Sequence, residues 1–159
     1  MPHNELHRPD IRLRKLQPGE RTVQWLLIAD PSREMLAHYL HEADLLGILL
    51  DGKRAGIAAV LPKGKQLCEL MNIALLPEHC GQGHGTRVLK TLFRRYKRKG
   101  FSHMQVGTAA EVPSILAFYQ KSGFVRTGTR KNFFLKNYPE PIFDNTTQCR
   151  DMARLERAL

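Results

Sequence analysis

Apolar residues recur along the chain with two different spacings, a period of two that is typical of strands and a helical period of about 3.6 residues. Residues 11–16 alternate apolar and basic side chains, and this pattern predicts a half-buried strand. Further strands are predicted over 45–50, 55–61, 67–76, 104–107, 124–127 and 148–155. Helical spacing predicts helices over 21–29, 33–42, 85–98 and 112–121.

Turn signals separate these elements. Asp51-Gly52 lies between two apolar segments and predicts a hairpin, and Pro31-Ser32 separates the first two helices. The predicted order fits neither strict βαβ alternation nor an all-β protein. It favours the α+β class, with a mixed, mostly antiparallel central sheet flanked by helices. Residues 1–10 are polar and predict a loose N-terminal arm, and residues 11–159 are predicted to form a single domain.

Length and composition agree with one domain. The chain has 159 residues, of which 42% are hydrophobic, enough to build a core. It has no run of about 18 or more apolar residues and no apolar stretch of a signal peptide near its start, so we expect no membrane span and a cytoplasmic protein. Three widely spaced cysteines, Cys68, Cys80 and Cys149, predict reduced thiols rather than disulfides or a metal site.

The formal charge of +10 predicts a surface that attracts anions, among them nucleic acids, anionic lipids and polyphosphate cofactors. The densest basic run, residues 94–99, falls on a predicted helix and is typical of a solvated helix face. Binding of single-stranded nucleic acid would favour more aromatic residues among these charges. We therefore expect no nucleic-acid partner.

A glycine-rich turn carries the clearest chemical signal. Residues 77–86 read Pro-Glu-His-Cys-Gly-Gln-Gly-His-Gly-Thr and lie between a predicted strand and a predicted helix. Glycines allow a left-handed backbone and close approach of a ligand, and the helix start offers free N–H groups to an anion. The spacing is neither G-x-G-x-x-G nor that of a Walker P-loop. The turn predicts binding of a phosphate or pyrophosphate group.

Two segments resemble the signatures of the GNAT family of N-acetyltransferases. Cys80-Gly81-Gln82-Gly83-His84-Gly85 is similar to the family's acetyl-CoA-binding motif, Q/R-x-x-G-x-G/A, and Tyr119-Gln120-Lys121-Ser122-Gly123-Phe124 is similar to its Tyr-x-x-x-Gly-Phe signature. Cys80 departs from the usual Gln or Arg. The Asn that often begins the helix before the second signature is also missing. The resemblance implies a GNAT-like fold and direct attack of an amine on acetyl-CoA in a ternary complex.

The resemblance also implies which residues bind the cofactor. Backbone N–H groups of the glycine turn would hold the pyrophosphate, and the edge of the preceding strand would pair with the pantetheine amides. Lys121 would reach a cofactor phosphate. The candidate cofactor-binding residues are Ile73, Ala74, Leu75, Cys80, Gly81, Gln82, Gly83, His84, Gly85, Thr86 and Lys121.

Three polar residues are candidates for the chemistry. By the resemblance, Tyr119 would protonate the departing thiolate, since a phenol pKa of ~10 is close to a thiol pKa of ~8.5; the alternative is a core tyrosine. Glu69 interrupts an apolar strand and is the candidate base, directly or through water; the alternative is a solvated charge. Asn72 could instead orient a water molecule or the substrate.

The acceptor follows less directly from the sequence. A small-molecule amine is the expected substrate, and a peptide or protein amine stays open. Carboxylates that could bind a polycation are few, and the positive net charge disfavours polycations at long range. A binding module for acyl-CoA or nucleic acid without catalytic activity is the alternative from another class. A homodimer through the C-terminal strand and the 130–147 segment is compatible with the pattern but not required by it.

Overall fold

A central sheet organises the molecule in the computed structural model, which describes residues 7–159. The strands are β1 (Ile11–Leu16), β2 (Asp44–Leu50), β3 (Lys53–Pro62), β4 (Leu67–Leu75), β5 (His103–Ala109), β6 (Val125–Arg130), β7 (Phe143–Asp144), β8 (Thr147–Gln148) and β9 (Met152–Ala158). The helices are α1 (Glu20–Leu26), α2 (Arg33–Ala37), α3 (His84–Arg98), α4 (Pro113–Lys121) and α5 (Phe133–Asn137).

Seven strands form the main sheet in the order β1-β2-β3-β4-β5-β9-β6, and β7 and β8 form a separate small hairpin. The β4–β5 pair is parallel, whereas the other neighbours in the main sheet are antiparallel. This is the predicted mixed, mostly antiparallel sheet flanked by helices, so the predicted fold class is confirmed.

Apolar side chains pack on both faces of the sheet. On one face, α3 buries Val88, Leu89, Leu92, Phe93 and Tyr96 against strand residues. The basic residues of 94–99 surround this apolar stripe, as an amphipathic helix requires. On the other face, α1 and α2 bury a smaller cluster that includes Leu26, Leu36 and Tyr39.

The C-terminal third differs most from the predicted elements. The predicted strand over 148–155 is interrupted, and β9 begins only at Met152. The carboxylate of Glu111 accepts hydrogen bonds from the backbone N–H groups of Arg150 and Asp151, at 3.2 and 2.8 Å, which holds these residues out of the ladder. Helix α5 and the β7–β8 hairpin form within the segment 130–147, where no regular elements were predicted.

Residues 1–6 of the predicted N-terminal arm lie outside the described residues. The rest of that arm contacts the domain: Asp51 accepts a hydrogen bond from the Asp10 backbone at 2.8 Å, and Arg87 donates one to the Pro9 carbonyl oxygen at 2.8 Å. Across residues 7–159, no helix combines the length and apolar character needed to cross a membrane.

Candidate active site

The sheet opens between β4 and β5. These strands pair only from Leu67↔His103 to Leu70↔Val106. Beyond this point β4 stays paired with β3 as far as Leu75, while β5 stays paired with β9 as far as Ala109. Within the described chain, residues 71–75 of β4 therefore have one edge without a strand partner. This edge exposes backbone donors and acceptors to a ligand of extended shape.

A bulge lies at the point where the strands part. Ala59 of β3 pairs with Asn72, and the next residue, Val60, pairs with Leu70, so Met71 is the extra residue on β4. As a result, the side chains of Leu70 and Ile73 both lie on the face of the sheet that α3 covers, while the side chain of Met71 lies on the face that α1 and α2 cover. The bulge changes which side chains reach the opening.

The glycine turn follows β4 directly and leads into α3. Gly81 and Gly83 have φ angles of 74° and 80°, in the left-handed region that favours glycine, and Gly83 is the N-cap of α3. A Cβ atom at either position would meet open space. The turn and the first residues of the helix line a cavity of about 330 Å³, together with the end of β4. Free N–H groups at the start of a long helix favour an anion in such a place.

Seven of the predicted cofactor-binding residues line this cavity, namely Ile73, Leu75, Cys80, Gly81, Gly83, Gly85 and Thr86. The other four do not. Ala74 is buried on the α1 and α2 face, and Lys121 is exposed at the end of α4. Gln82 donates to the Glu78 carbonyl oxygen at 2.8 Å, and its side-chain oxygen lies 3.1 Å from Nε2 of His84.

Two lining residues, His79 and Phe118, were not predicted. Phe118 directly precedes Tyr119 of the second signature, and its apolar position on α4 was the signal that could have identified it. Cys80, the departure from the family motif, has its thiol 3.5 Å from the Leu76 carbonyl oxygen. The thiol thus lies within the turn at the wall of the cavity.

A larger cleft of about 1040 Å³ meets the first cavity at Ile73 and Phe118, which line both. All three candidate catalytic residues, Glu69, Asn72 and Tyr119, line this cleft. Tyr119 is 6% exposed and packs edge-on against Phe118 and Phe124, at ring distances of 5.0 and 5.6 Å. Burial raises the pKa of Tyr119 well above its usual value, so the neutral phenol is favoured.

Glu69 lies at the wall of the cleft between two cations. Its carboxylate is 3.3 Å from Nζ of Lys63 and 3.6 Å from a guanidinium nitrogen of Arg154, and its side chain is 13% exposed. The same guanidinium donates to the side-chain oxygen of Gln105 at 3.0 Å. The carboxylate is therefore compensated by protein charges rather than by water alone.

Asn72 joins β4 to α1 and α2. Its side-chain nitrogen donates to the Leu26 carbonyl oxygen at 3.0 Å and lies 3.3 Å from the hydroxyl of Tyr39. The residue is 5% exposed, and its side-chain oxygen is buried without a hydrogen-bond partner among residues 7–159. A buried acceptor of this kind is unfavourable unless a ligand or water donates to it.

A further carboxylate, Asp30, lines the same cleft and was not predicted as a site residue. It accepts hydrogen bonds from the Ser32 backbone N–H at 3.1 Å and from the Tyr138 hydroxyl at 3.0 Å. Burial raises the pKa of Asp30, and it raises the pKa of nearby Tyr39 to about 12. No local pattern could identify the contact, because Asp30 and Tyr138 are 108 residues apart.

No group of three or more His, Cys, Asp or Glu side chains that could hold a metal ion occurs within the part of the chain that the structure describes. The linings of the two cavities provide backbone N–H groups, the carboxylates of Asp30, Glu69 and Asp144, the imidazoles of His38 and His79, a buried amide and buried phenols.

Comparisons with known proteins agree on one family. The sequence model of the Acetyltransferase (GNAT) family matches residues 11–124. An uncharacterised N-acetyltransferase of Bacillus subtilis, YvbK, is 32% identical over 145 residues, which cover 89% of this chain and 94% of that protein.

Solved structures give the same result. A GNAT family acetyltransferase from Elizabethkingia anophelis with acetyl-CoA bound has a TM-score of 0.86 and 34% identity, covering 94% of this chain and 98% of that one. An IAA acetyltransferase from Bacillus cereus has a TM-score of 0.86 and 31% identity, covering 94% and 100%. A Bacillus subtilis acetyltransferase in complex with CoA has a TM-score of 0.84 and 30% identity, covering 94% and 99%.

Proposed function

Because this chain belongs to the GNAT family of acetyltransferases, we propose that it transfers the acetyl group of acetyl-CoA to a primary amine of a small molecule, by direct attack in a ternary complex. Members of this family are N-acetyltransferases, and acetyl-CoA is the co-substrate.

The cavity at the glycine turn suits the co-substrate. Gly81 and Gly83 leave space where side chains would otherwise project, and the start of α3 favours a diphosphate. Residues 73–75 lie on the edge of β4 that β5 leaves unpaired, where an extended chain with amide groups finds backbone partners. We assign the pyrophosphate to the turn and the pantetheine arm to this edge. Acetyl-CoA supplies the activated acyl group as a thioester.

The meeting of the two cavities is the observation that carries the proposal. The smaller cavity adjoins the glycine turn, the larger cleft holds Glu69, Asn72 and Tyr119, and both are lined by Ile73 and Phe118. A co-substrate in the first and an amine in the second would therefore meet beside Ile73. Holding both reactants together in this way makes the attack effectively unimolecular. A backbone N–H of the strand edge there is available to stabilise negative charge on the thioester oxygen.

Tyr119 is the proposed general acid. It lines the cleft, and its hydroxyl makes no hydrogen bond to another residue between positions 7 and 159. Burial raises its pKa, so the phenol is neutral but is a weaker acid than an ordinary tyrosine, and its role rests on its position in the cleft. The phenolic proton passes to the sulfur as the carbon–sulfur bond breaks.

Glu69 and Asn72 are proposed to handle the amine. The unpartnered side-chain oxygen of Asn72 accepts a hydrogen bond from the amine nitrogen and so orients it. Glu69 takes up the proton that the amine loses, through a water molecule. The cations Lys63 and Arg154 hold the Glu69 carboxylate in place at the wall of the cleft.

Calorimetric titration with acetyl-CoA, compared with free CoA, tests the first step, and release of free thiol in the presence of a panel of amines tests the second. We expect micromolar binding of acetyl-CoA and amine-dependent thiol release. Binding without thiol release for any amine would instead favour an acyl-CoA-binding module without catalytic activity. Acetylation of peptides alone would replace the small-molecule acceptor with a peptide.

A further inference from the structure

Asp30 and Asp144 line the larger cleft without a cationic partner among the described residues, and Asp30 is the one of the two that accepts a hydrogen bond from an aromatic hydroxyl, that of Tyr138. Glu69, by contrast, is paired with both Lys63 and Arg154. No lysine, arginine or histidine nitrogen of the described chain lies within 4.0 Å of the Asp30 carboxylate, which has only the Ser32 N–H and the Tyr138 hydroxyl as donors. A half-buried carboxylate without a counter-ion attracts a cationic ligand group.

A connected row of aromatic side chains begins at this carboxylate. Tyr138, which donates to Asp30, stacks on Phe134 at a ring distance of 5.7 Å, and Phe134 packs edge-on against Phe133 at 5.3 Å. All three line the cleft. Rings arranged in this way accommodate a further flat apolar group by stacked or edge-on contact.

The cleft also carries large apolar side chains that face solvent. Ile28 is 46% exposed and Phe143 is 57% exposed, and both line the cleft. Exposed apolar residues gathered at one opening are typical of a ligand-binding surface. A ligand with an apolar body would cover them and remove apolar area from water.

A buried, unpartnered polar atom independently indicates a ligand at this end of the cleft. The side-chain oxygen of Asn72 accepts no hydrogen bond from any of residues 7–159, although Asn72 is only 5% exposed. Its side-chain nitrogen contacts the Tyr39 hydroxyl, and it shares the Leu26 carbonyl oxygen with the backbone N–H of Asp30, at 3.0 and 3.2 Å. Asn72, Tyr39 and Asp30 thus form one polar end of the cleft, next to the unpaired edge of β4.

We propose that the acceptor is a primary amine attached to a single aromatic or similarly flat apolar body, and that Asp30 selects it by pairing with its ammonium group. This inference rests on the proposed function and specifies its substrate class. The amine end lies at Asp30 and Asn72, and the apolar body lies against Phe133, Phe134 and the exposed residues of the opening. A polyamine is one competing ligand: Glu69 is already compensated by two protein cations, but Asp144 lines the cleft without one among the described residues.

An amine that also carries a carboxylate is another competing ligand, since Arg130 lines the cleft as well. The test therefore compares 2-phenylethylamine with n-butylamine, which lacks the ring, with phenylalanine, which adds a carboxylate, and with spermidine. Two quantities are measured for each: the dissociation constant from calorimetry on protein saturated with free CoA, and kcat/KM from thiol release with acetyl-CoA. We expect 2-phenylethylamine to have a dissociation constant about tenfold or more lower, and a kcat/KM about tenfold or more higher, than each of the others.

Variants then isolate the carboxylate. Asp30→Asn keeps the shape of the side chain and is expected to weaken 2-phenylethylamine binding about tenfold, with no change in the affinity for acetyl-CoA. Glu34→Gln removes one negative charge from the exposed start of α2 and is the matched control. We expect it to change neither the affinity for 2-phenylethylamine nor that for acetyl-CoA. Tyr138→Phe keeps the ring but loses the hydroxyl donor, so selectivity for the ring is expected to persist.

The outcomes separate this inference from the proposed function. Preference for n-butylamine, phenylalanine or spermidine, or an Asp30→Asn variant that behaves like Glu34→Gln, overturns the inference while acetyl transfer stands. Failure of 2-phenylethylamine to bind the CoA-saturated protein also overturns it. If 2-phenylethylamine binds in the expected way but no amine of the panel releases thiol, the proposed function fails and the binding site remains.

Discussion

Gly85 and Phe118 are packed so closely that a Cβ atom at position 85 would lie 3.1 Å from the aromatic ring. The third glycine of the turn therefore has a role that differs from those of Gly81 and Gly83: it lets the first turn of α3 approach α4. Phe118 lines both cavities, so this contact also fixes a wall that they share.

The first prediction follows from this contact. Gly85→Ala improves helix propensity by up to about 1 kcal/mol but requires the Phe118 ring to move by a few tenths of an ångström. We expect little change in the thermal midpoint and a weaker affinity for acetyl-CoA, by about threefold to tenfold. Calorimetric titration measures the affinity. An unchanged affinity would mean that the Phe118 position does not matter for the co-substrate.

Gly83 allows a test with a closely matched control. Gly83→Glu places a bulky anion at the N-cap of α3. The backbone there is left-handed, and this conformation costs a residue with a side chain about 1–2 kcal/mol of folding free energy. Gly52 in the β2–β3 turn has nearly the same φ angle, 78° against 80°, and also has open space around it. Gly52→Glu is thus expected to destabilise the fold by a similar amount.

The two variants should differ in binding. We expect Gly83→Glu to abolish measurable calorimetric binding of acetyl-CoA and Gly52→Glu to leave it unchanged, because only position 83 lies at the proposed pyrophosphate site. Equal affinities for the two variants would remove the glycine turn from the co-substrate site.

Tyr119→Phe tests the proposed acid. Loss of the phenolic proton donor is expected to lower kcat by about 10²–10⁴-fold while the affinity for acetyl-CoA stays the same. Tyr96→Phe is the control: its hydroxyl donates to Asp44 at 2.8 Å, and neither residue lines either cavity, so stability should fall by about 1.5–3 kcal/mol with kcat retained. Steady-state kinetics and denaturant unfolding measure the two effects. Retained turnover in Tyr119→Phe would assign protonation of the thiolate to another group.

The pH dependence of stability provides a prediction for Asp30. Burial raises the pKa of this carboxyl above its ordinary value of 3.8, so the folded state binds the proton more tightly than the unfolded chain does. Stability therefore falls as the pH rises from 3.8 through the raised pKa, and the full penalty applies at neutral pH.

Asp30→Asn has no such proton to lose. It is expected to have a higher thermal midpoint than the wild type at pH 7, and this gain should disappear below pH ~3, where both side chains are neutral. Scanning calorimetry across this range measures the difference. A variant that is less stable at pH 7 would mean that the hydrogen bonds of the charged carboxylate outweigh its burial.

The parts of the site that the sequence predicted are those encoded by local spacing. The turn at Gly81 and Gly83 and the helix after it need only residues that are neighbours in the chain, and the structure has them where they were predicted. The fold class followed in the same way from the order of the elements. The roles of Tyr119, Glu69 and Asn72 stay predictions for the kinetic experiments.

Contacts between distant segments were not accessible to such reasoning. The cations that hold Glu69 come from the β3–β4 turn and from β9, and the partner of Asp30 comes from the segment after α5. The late start of β9 likewise depends on Glu111, a side chain about 40 residues away. Each of these depends on packing, which no periodicity along the chain records.

The short pairing of β4 with β5 has a mechanical consequence. In the part of the chain that the structure describes, the strand ladder between the half of the sheet formed by β1 to β4 and the half formed by β5, β9 and β6 has four residue pairs, from Leu67↔His103 to Leu70↔Val106. A ligand that lies along residues 71–75 and also contacts α4 acts as a clamp across this joint. We therefore expect the cohesion of the two halves, and with it resistance to heat and proteolysis, to rise with the concentration of acetyl-CoA.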